Sequence, residues 1–363
     1  MRTASTLILT FSSQIYFHRV FSLALAAFTM FFSTVPDCAA QESAPPQQVI
    51  QVSTELVKLD VTVLDKNGDF AGGLEKKDFR VLDGGVAQPI LFFAPMDSPA
   101  QILVLIETSP AVFLIRADHI AATYALLDGL AADDQIALAT YDQSPHVILP
   151  FTTDKRALLA AFGGMQYRLG MDQLNFYDSI SAVMDMMPAE GGKRALVLLT
   201  TGLDSSAPER WDALVKKLRA EDVVIYSVAL GGSLRNYTGK KAPAGNKTAK
   251  KSPQVPAASS ESVSDSTGSL SFARANDALL SLAKITGGRA YFPEKQEDFV
   301  SFYHQIAAAL RHQYVLGIAP EHDGAFHALT VQVLGANGQP IPPATKKAEN
   351  RIYAREGYLA PGP

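Results

Sequence analysis

Ile102-Leu103-Val104-Leu105-Ile106-Glu107-Thr108-Ser109-Pro110-Ala111 decides how this chain is read. A continuous apolar run of strand character ends in a short polar corner. Open α/β sheets carry their ligand sites at such corners, beyond the carboxyl ends of parallel strands. Downstream, strand-like runs alternate with helical ones. A strand is expected over 135–140, a short one over 146–150 and a near-continuous apolar one over 194–200, with the next over 223–228. Helices are expected over 116–130, 176–187 and 208–219. On the first of these, Ile120, Tyr124, Leu127 and Leu130 repeat with a 3.6 period, and Pro208 sits early in the last. Asp154 stands where a helix N-cap belongs. This alternation predicts a doubly wound, mostly parallel sheet.

The flanks read differently. Leu56-Val57-Lys58-Leu59-Asp60-Val61-Thr62-Val63 alternates with period two, as do residues 49–52, and strands are expected over 80–83 and 89–93 between Gly turns. Residues 95–99 read as a hinge. Strand patterns return over 314–318, 326–334 and 351–354. Each β segment is too small to be stable alone. The two ends are therefore expected to build one small β-domain together, residues 46–96 with 320–358.

The order of these pieces resembles the von Willebrand factor A fold over residues 101–316. More narrowly, the chain resembles the secreted A-domain-related proteins of Acidobacteria. That resemblance is carried by Leu74-Glu75-Lys76-Lys77-Asp78-Phe79-Arg80-Val81-Leu82-Asp83-Gly84 before the sheet and by Gly357-Tyr358 near the end. It implies a Rossmann-like α/β core and an adhesion or protein-binding role.

It also implies a metal-ion-dependent adhesion site, and here the chain departs from the family. The family's first loop is Asp-x-Ser-x-Ser, where this chain has Glu107, Ser109 and Ala111. Its second loop supplies a Thr, where Leu174 stands. Its third supplies an Asp after the central strand, where Thr201 stands. Mg²⁺ demands a near-octahedral oxygen shell, and a hard dication without several carboxylates has little to offset dehydration. The expectation is a degenerate site without a conventional metal and without any other cofactor. Mg²⁺ or Mn²⁺ would return only if Glu107, Asp172 or Asp204 rebuilt the shell. Glu107, Ser109, Thr200 and Thr201 would otherwise form a metal-free hydrogen-bonded apex. Glu107, Ser109, Asp142, Asn175, Thr201 and Asp204 are the candidate ligand-binding residues, all at or near carboxyl ends of strands.

An enzyme is not expected. Ser109 has no His near it in sequence, and no Gly-x-Ser-x-Gly, His-Glu-x-x-His or phosphate-binding Gly-rich loop is present. The net charge of −4 shows no basic stripe for nucleic acid. The amino terminus carries a charged start, an apolar core over 21–32 and Cys38-Ala39-Ala40, read as a signal peptide over 1–40 that directs the chain out of the cytoplasm. Cys38 is the only cysteine, so cleavage there removes every thiol and with it any Cys-ligated zinc. Cleavage also removes two positive charges and one negative, and no membrane span is expected afterwards. Residues 233–269, rich in Ser, Ala, Lys and Pro, read as a low-complexity insertion.

Three functional readings follow. The first is an extracytoplasmic module that binds a protein or cell-surface polymer without a conventional metal. The second is a structural or assembly scaffold of the envelope. The third is metal-dependent adhesion through a rebuilt site.

Overall fold

The computed structural model describes residues 56–65, 69–96, 99–167, 173–188, 192–231, 261–341 and 351–363. The expected signal peptide, the strand at 49–52, Met171, Asp172 and residues 233–260 lie outside them.

The centre is a six-stranded sheet. In chain order its strands are β5 (Ala100–Glu107), β6 (Gln135–Tyr141), β7 (Pro145–Thr152), β8 (Lys193–Thr200), β9 (Val224–Ala229) and β10 (Arg289–Tyr291). They lie in the order β10-β9-β8-β5-β6-β7, all parallel except the edge strand β7. The expected doubly wound, mostly parallel sheet is therefore observed. The period of two divides β5 between two cores. Ile102, Val104 and Ile106 face one core, closed by α2 (Arg116–Gly129), α3 (Lys155–Gly163) and α7 (Gln296–Arg311). Leu103 and Leu105 face the other, closed by α4 (Phe176–Asp185), α5 (Pro208–Ala220) and α6 (Glu261–Thr286). Asp154 caps α3, accepting from the N–H groups of Arg156 and Ala157.

Two antiparallel sheets flank this unit, in the orders β13-β1-β11-β4 and β14-β12-β2-β3. Their amino-terminal members are β1 (Val57–Leu64), β2 (Phe79–Asp83), β3 (Val86–Gln88) and β4 (Phe92–Met96). The others are β11 (Gln313–Ile318), β12 (Phe326–Val333), β13 (Arg351–Tyr353) and β14 (Gly357–Leu359). Strand β1 lies between β11 and β13, and β2 lies against β12, so strands from both ends of the chain share one core. Leu59, Val61, Phe79, Val81, Tyr314, Leu316, Val331 and Val333 fill it. Strand β11, which a boundary at residue 316 would leave with the parallel sheet, hydrogen-bonds instead to β1 and β4.

Four local expectations are corrected. Of the strand expected over 89–93, residues 89–91 lie between β3 and β4 and only 92–93 belong to β4, which runs on through Pro95, so 95–99 is not simply a hinge. Pro is tolerated there because β4 is an edge strand. A short helix, α1 (Pro110–Leu114), follows the polar corner directly. Helix α6 starts at Glu261, inside the stretch read as insertion. Extending an anchored helix backward costs far less than nucleating one. On α2, Ile120 and Tyr124 are 37% and 56% exposed, while Ala122, Ala125 and Leu126 are buried. The helix crosses α7 so closely that a Cβ on Gly129 would stand 2.4 Å from that of Ala307. Leu127 and Leu130 of the expected stripe are buried, whereas the close approach to α7 demands a small residue at Gly129 that the periodicity did not mark.

The junction with the antiparallel sheets is polar and specific. Lys193, fully buried at the start of β8, donates to the carbonyls of Ala309 and Leu310 at the end of α7. Burial pulls its pKa down to about 7, against the opposing pull of Asp60 on β1. Arg355 donates to the carbonyl of Arg219 at the end of α5, and Arg219 pairs with Glu356 at 2.9 Å. Cations placed at helix carboxyl ends meet unpaired carbonyls and the negative end of the dipole.

Candidate functional site

The carboxyl end of the parallel sheet gathers most of the candidate residues, with their side chains turned inward. Glu107 is 0% exposed. Its Oε2 accepts four hydrogen bonds: from Thr201 N–H at 2.7 Å, Thr201 Oγ1 at 2.8 Å, Thr200 Oγ1 at 3.1 Å and the Tyr141 hydroxyl at 3.2 Å. Tyr141 and Thr200 also share a hydrogen bond of 2.6 Å, and Thr200 Oγ1 accepts from Gly202 N–H. Burial, and then the Glu107 carboxylate, hold the Tyr141 phenol well above its ordinary pKa. Glu107 thus clamps β5 to β6 and β8 from inside. With Thr201 only 1% exposed, neither residue offers surface to a large ligand.

The remaining candidates are distributed around this clamp. Asp142 is buried and its Oδ1 accepts from the N–H groups of Gln143 and Ser144, closing the β6–β7 turn. Asn175 donates its side-chain amide to the Gln143 carbonyl at 2.8 Å, and its N–H to the Asp142 carbonyl at 2.9 Å. Asp204 accepts from Phe176 N–H at 3.0 Å, so it caps the start of α4, and it also accepts from Ser206. That position stabilises a carboxylate through the helix dipole. Leu174, where the family has a metal-ligating Thr, is half-buried and packs against the core beneath α4. Its backbone pairs with Ser205. Ser109 precedes α1 as its N-cap residue, yet its hydroxyl makes no cap hydrogen bond. Ala111 lies within α1 and brings no side-chain oxygen.

Two oxygens stand out as buried without a hydrogen-bond partner, Glu107 Oε1 and Ser109 Oγ. Both belong to residues that the resemblance aligns with metal ligands. One carboxylate oxygen and one hydroxyl are a poor match for the shell that Mg²⁺ requires. Among the described residues no group of three or more His, Cys, Asp or Glu is arranged to hold a metal ion.

Tyr141 was not foreseen as part of this cluster. The register of β5 on β6 sets it directly opposite Glu107. A strand alignment would have exposed the pair, whereas residue patterns along one strand do not. Of the histidines, His146 faces Asp142, and His327 sits between Asp83 and Asp323 in the antiparallel sheets.

No protein-family model matches the chain, and no curated protein matches it. Solved structures similar in fold include an aerotolerance-related membrane protein from Bacteroides fragilis, at 15% identity and a TM-score of 0.39, covering 57% of this chain and 98% of that one. A von Willebrand factor type A protein from Catenulispora acidiphila matches at 9% identity and a TM-score of 0.41, over 84% of this chain and 75% of that one. Proximal thread matrix protein 1 of the mussel byssus matches at 11% identity and a TM-score of 0.40, over 63% and 49%. The doubly wound fold of this chain rests on its strand order and register rather than on these likenesses.

Proposed function

We propose that this chain is an extracytoplasmic interaction module that binds a protein or envelope polymer at the carboxyl end of its parallel sheet without using a divalent cation. The observation that carries the reading is the state of Glu107. In place of a solvent-facing ligand set stands a buried carboxylate consumed by Thr200, Thr201 and Tyr141. The internal hydrogen bonds do structurally what a bridging cation would do, fixing three strand ends relative to one another. What remains for recognition is the rim: Gln143, Ser144, Gln173 and Ser205 are exposed there. Neutral amides and hydroxyls at a rigid rim suit hydrogen bonding to peptide or glycan groups. No catalytic role is assigned. The extracytoplasmic setting rests on the signal-peptide reading. Among the described residues no helix is long and apolar enough to cross a membrane.

The test is binding of the mature chain to an envelope fraction, with and without EDTA, beside a Gln143→Arg/Gln173→Arg variant that obstructs the rim. Binding that survives EDTA and fails in the variant is expected. Binding abolished by EDTA and restored by Mg²⁺ or Mn²⁺ would instead support a rebuilt site, for which Glu107 Oε1 and Ser109 Oγ are the available oxygens. A scaffold role is favoured by a separate feature: Leu91 and Phe92, at the exposed edge strand β4, are 50% and 47% exposed. Under that reading rim variants bind normally and Phe92→Lys does not.

A further inference from the structure

Between the parallel-sheet unit and the antiparallel sheets lies a cavity of about 520 Å³. That volume falls within the range of small-molecule sites. None of its lining residues belongs to the Glu107 cluster, so it stands apart from the rim proposed above.

We infer that this cavity is a binding site for a small monoanion with an aromatic body, an arylacetate-like carboxylate. The cation is Arg289, at the start of β10. Its guanidinium stands 4.7 Å from the ring centre of Tyr291 and 5.5 Å from that of Tyr353. One of its N–H groups donates to Gln305 Oε1 at 3.0 Å. Among the described residues no carboxylate forms an ion pair with it. A guanidinium carries five N–H donors, and a neutral amide neither balances its charge nor uses its bidentate geometry. A carboxylate would do both. Asp69 also lines the cavity, but it is exposed and forms no ion pair with Arg289.

The remaining walls suit an aromatic body. Phe70 stacks on His312 with ring centres 5.2 Å apart, and Tyr353 also lines the cavity. His304 and Ala308 on α7, and His312 just after its end, recur every four residues and all line the cavity. Flat rings placed among such side chains gain offset-stacked or edge contacts beyond their area burial.

The walls of the cavity are fixed by close backbone packing and by hydrogen bonds. Gly287 adopts φ +78, and a Cβ there would stand 2.6 Å from the Arg355 nitrogen. A Cβ on Gly288 would stand 1.9 Å from the Ile225 carbonyl oxygen. The Gln313 amide donates to Thr62 of β1 at 3.0 Å and to the Tyr226 hydroxyl of β9 at 3.1 Å, tying the two walls together. A site fixed in this way does not spend binding energy on its own ordering.

The experiment is isothermal titration of the full mature chain with indole-3-acetate and 4-hydroxyphenylacetate, and with their amides. The acids are expected to bind at least ten-fold more tightly than the amides. Arg289→Gln should remove that preference while leaving the weak amide binding unchanged. Ala308→Trp, which fills the cavity from an exposed helix position, should abolish binding of both. It remains informative if the Arg289 variant does not fold. Equal affinity for acid and amide, acid binding unaltered by Arg289→Gln, full binding by Ala308→Trp, or no binding of any probe at millimolar concentration would each overturn the assignment.

Discussion

Replacing Glu107 with Ala removes one side chain and strands several donors in a region closed to water. The backbone N–H of Thr201 cannot turn away and loses its 2.7 Å partner. A buried donor left unpaired costs about 1–3 kcal/mol. The Thr201 hydroxyl loses its acceptor too, although it still accepts from Leu203 N–H. Tyr141 and Thr200 lose less, because their mutual hydrogen bond survives. The lost Cγ methylene adds about 0.8 kcal/mol in transfer terms, beside the void left by the carboxylate. The total expected loss is roughly 3–5 kcal/mol. Glu107→Gln keeps the volume and one acceptor oxygen and should cost about 1–2 kcal/mol. Urea unfolding followed by far-ultraviolet circular dichroism measures both. With a slope near ~3 kcal/mol/M, the Ala midpoint should fall by about 1–1.7 M and the Gln midpoint by less than about 0.7 M. An Ala variant destabilised by under about 1 kcal/mol would refute the view of Glu107 as an internal clamp. Such a result would mean that its carboxylate is held for a ligand.

Other expectations are simpler. Ending the chain at Ala319 strips β2 of its partner β12 and removes Leu329, Val331, Val333 and Tyr358 from the shared core. At about 1.5–3 kcal/mol per side chain, this approaches the whole stability of a typical domain, so limited proteolysis should find the fragment degraded while the full chain resists. His327 is held between Asp83 at 3.0 Å and Asp323 at 3.2 Å. Burial works against its charge, but these carboxylates outweigh it and raise its pKa above the ordinary value. Its stabilising contribution is therefore complete below the unfolded value of about 6.5 and lost as pH rises through the raised folded value. Thermal midpoints measured from pH 5 to 9 should show wild type and His327→Gln converging at high pH, and a constant gap would contradict this. Gly288→Ala should prevent folding or cost more than about 3 kcal/mol, since its Cβ meets the Ile225 carbonyl. Gly84→Ala, in an open turn at φ +54, should cost only about 1–2 kcal/mol by the same urea assay.

Much of the parallel-sheet unit is legible in the chain because its strands are buried on both faces. Such strands read as unbroken apolar runs, as over Ile102–Ile106 and Ala195–Leu199, and the helices between them are bounded by ordinary caps and breakers such as Asp154 and Pro208. Helix contacts are less legible. On α2 the periodicity finds the buried Leu127 and Leu130 but not Ala122, Ala125 or Gly129, and the need for a small residue at Gly129 depends on how near α7 lies, which no periodicity records. The start of α6 was hidden for a related reason, since its Ser-rich first turns have no apolar pattern of their own.

The candidate site divides the same way. The sequence by itself supplied the identities of Glu107, Leu174 and Thr201 and the expectation, by resemblance, that they stand where a von Willebrand factor A site would place its ligands. It also placed them at strand ends. Only the tertiary structure decided that the Glu107 carboxylate turns inward and that Tyr141 meets it. Inter-strand register sets those pairings, and register joins residues 34 and 94 positions apart in the chain. The same holds for Arg289, which is an unremarkable edge-strand cation in sequence. That no carboxylate among the described residues pairs with it is a property of the space between two sheets and a helix, and no local pattern encodes a space.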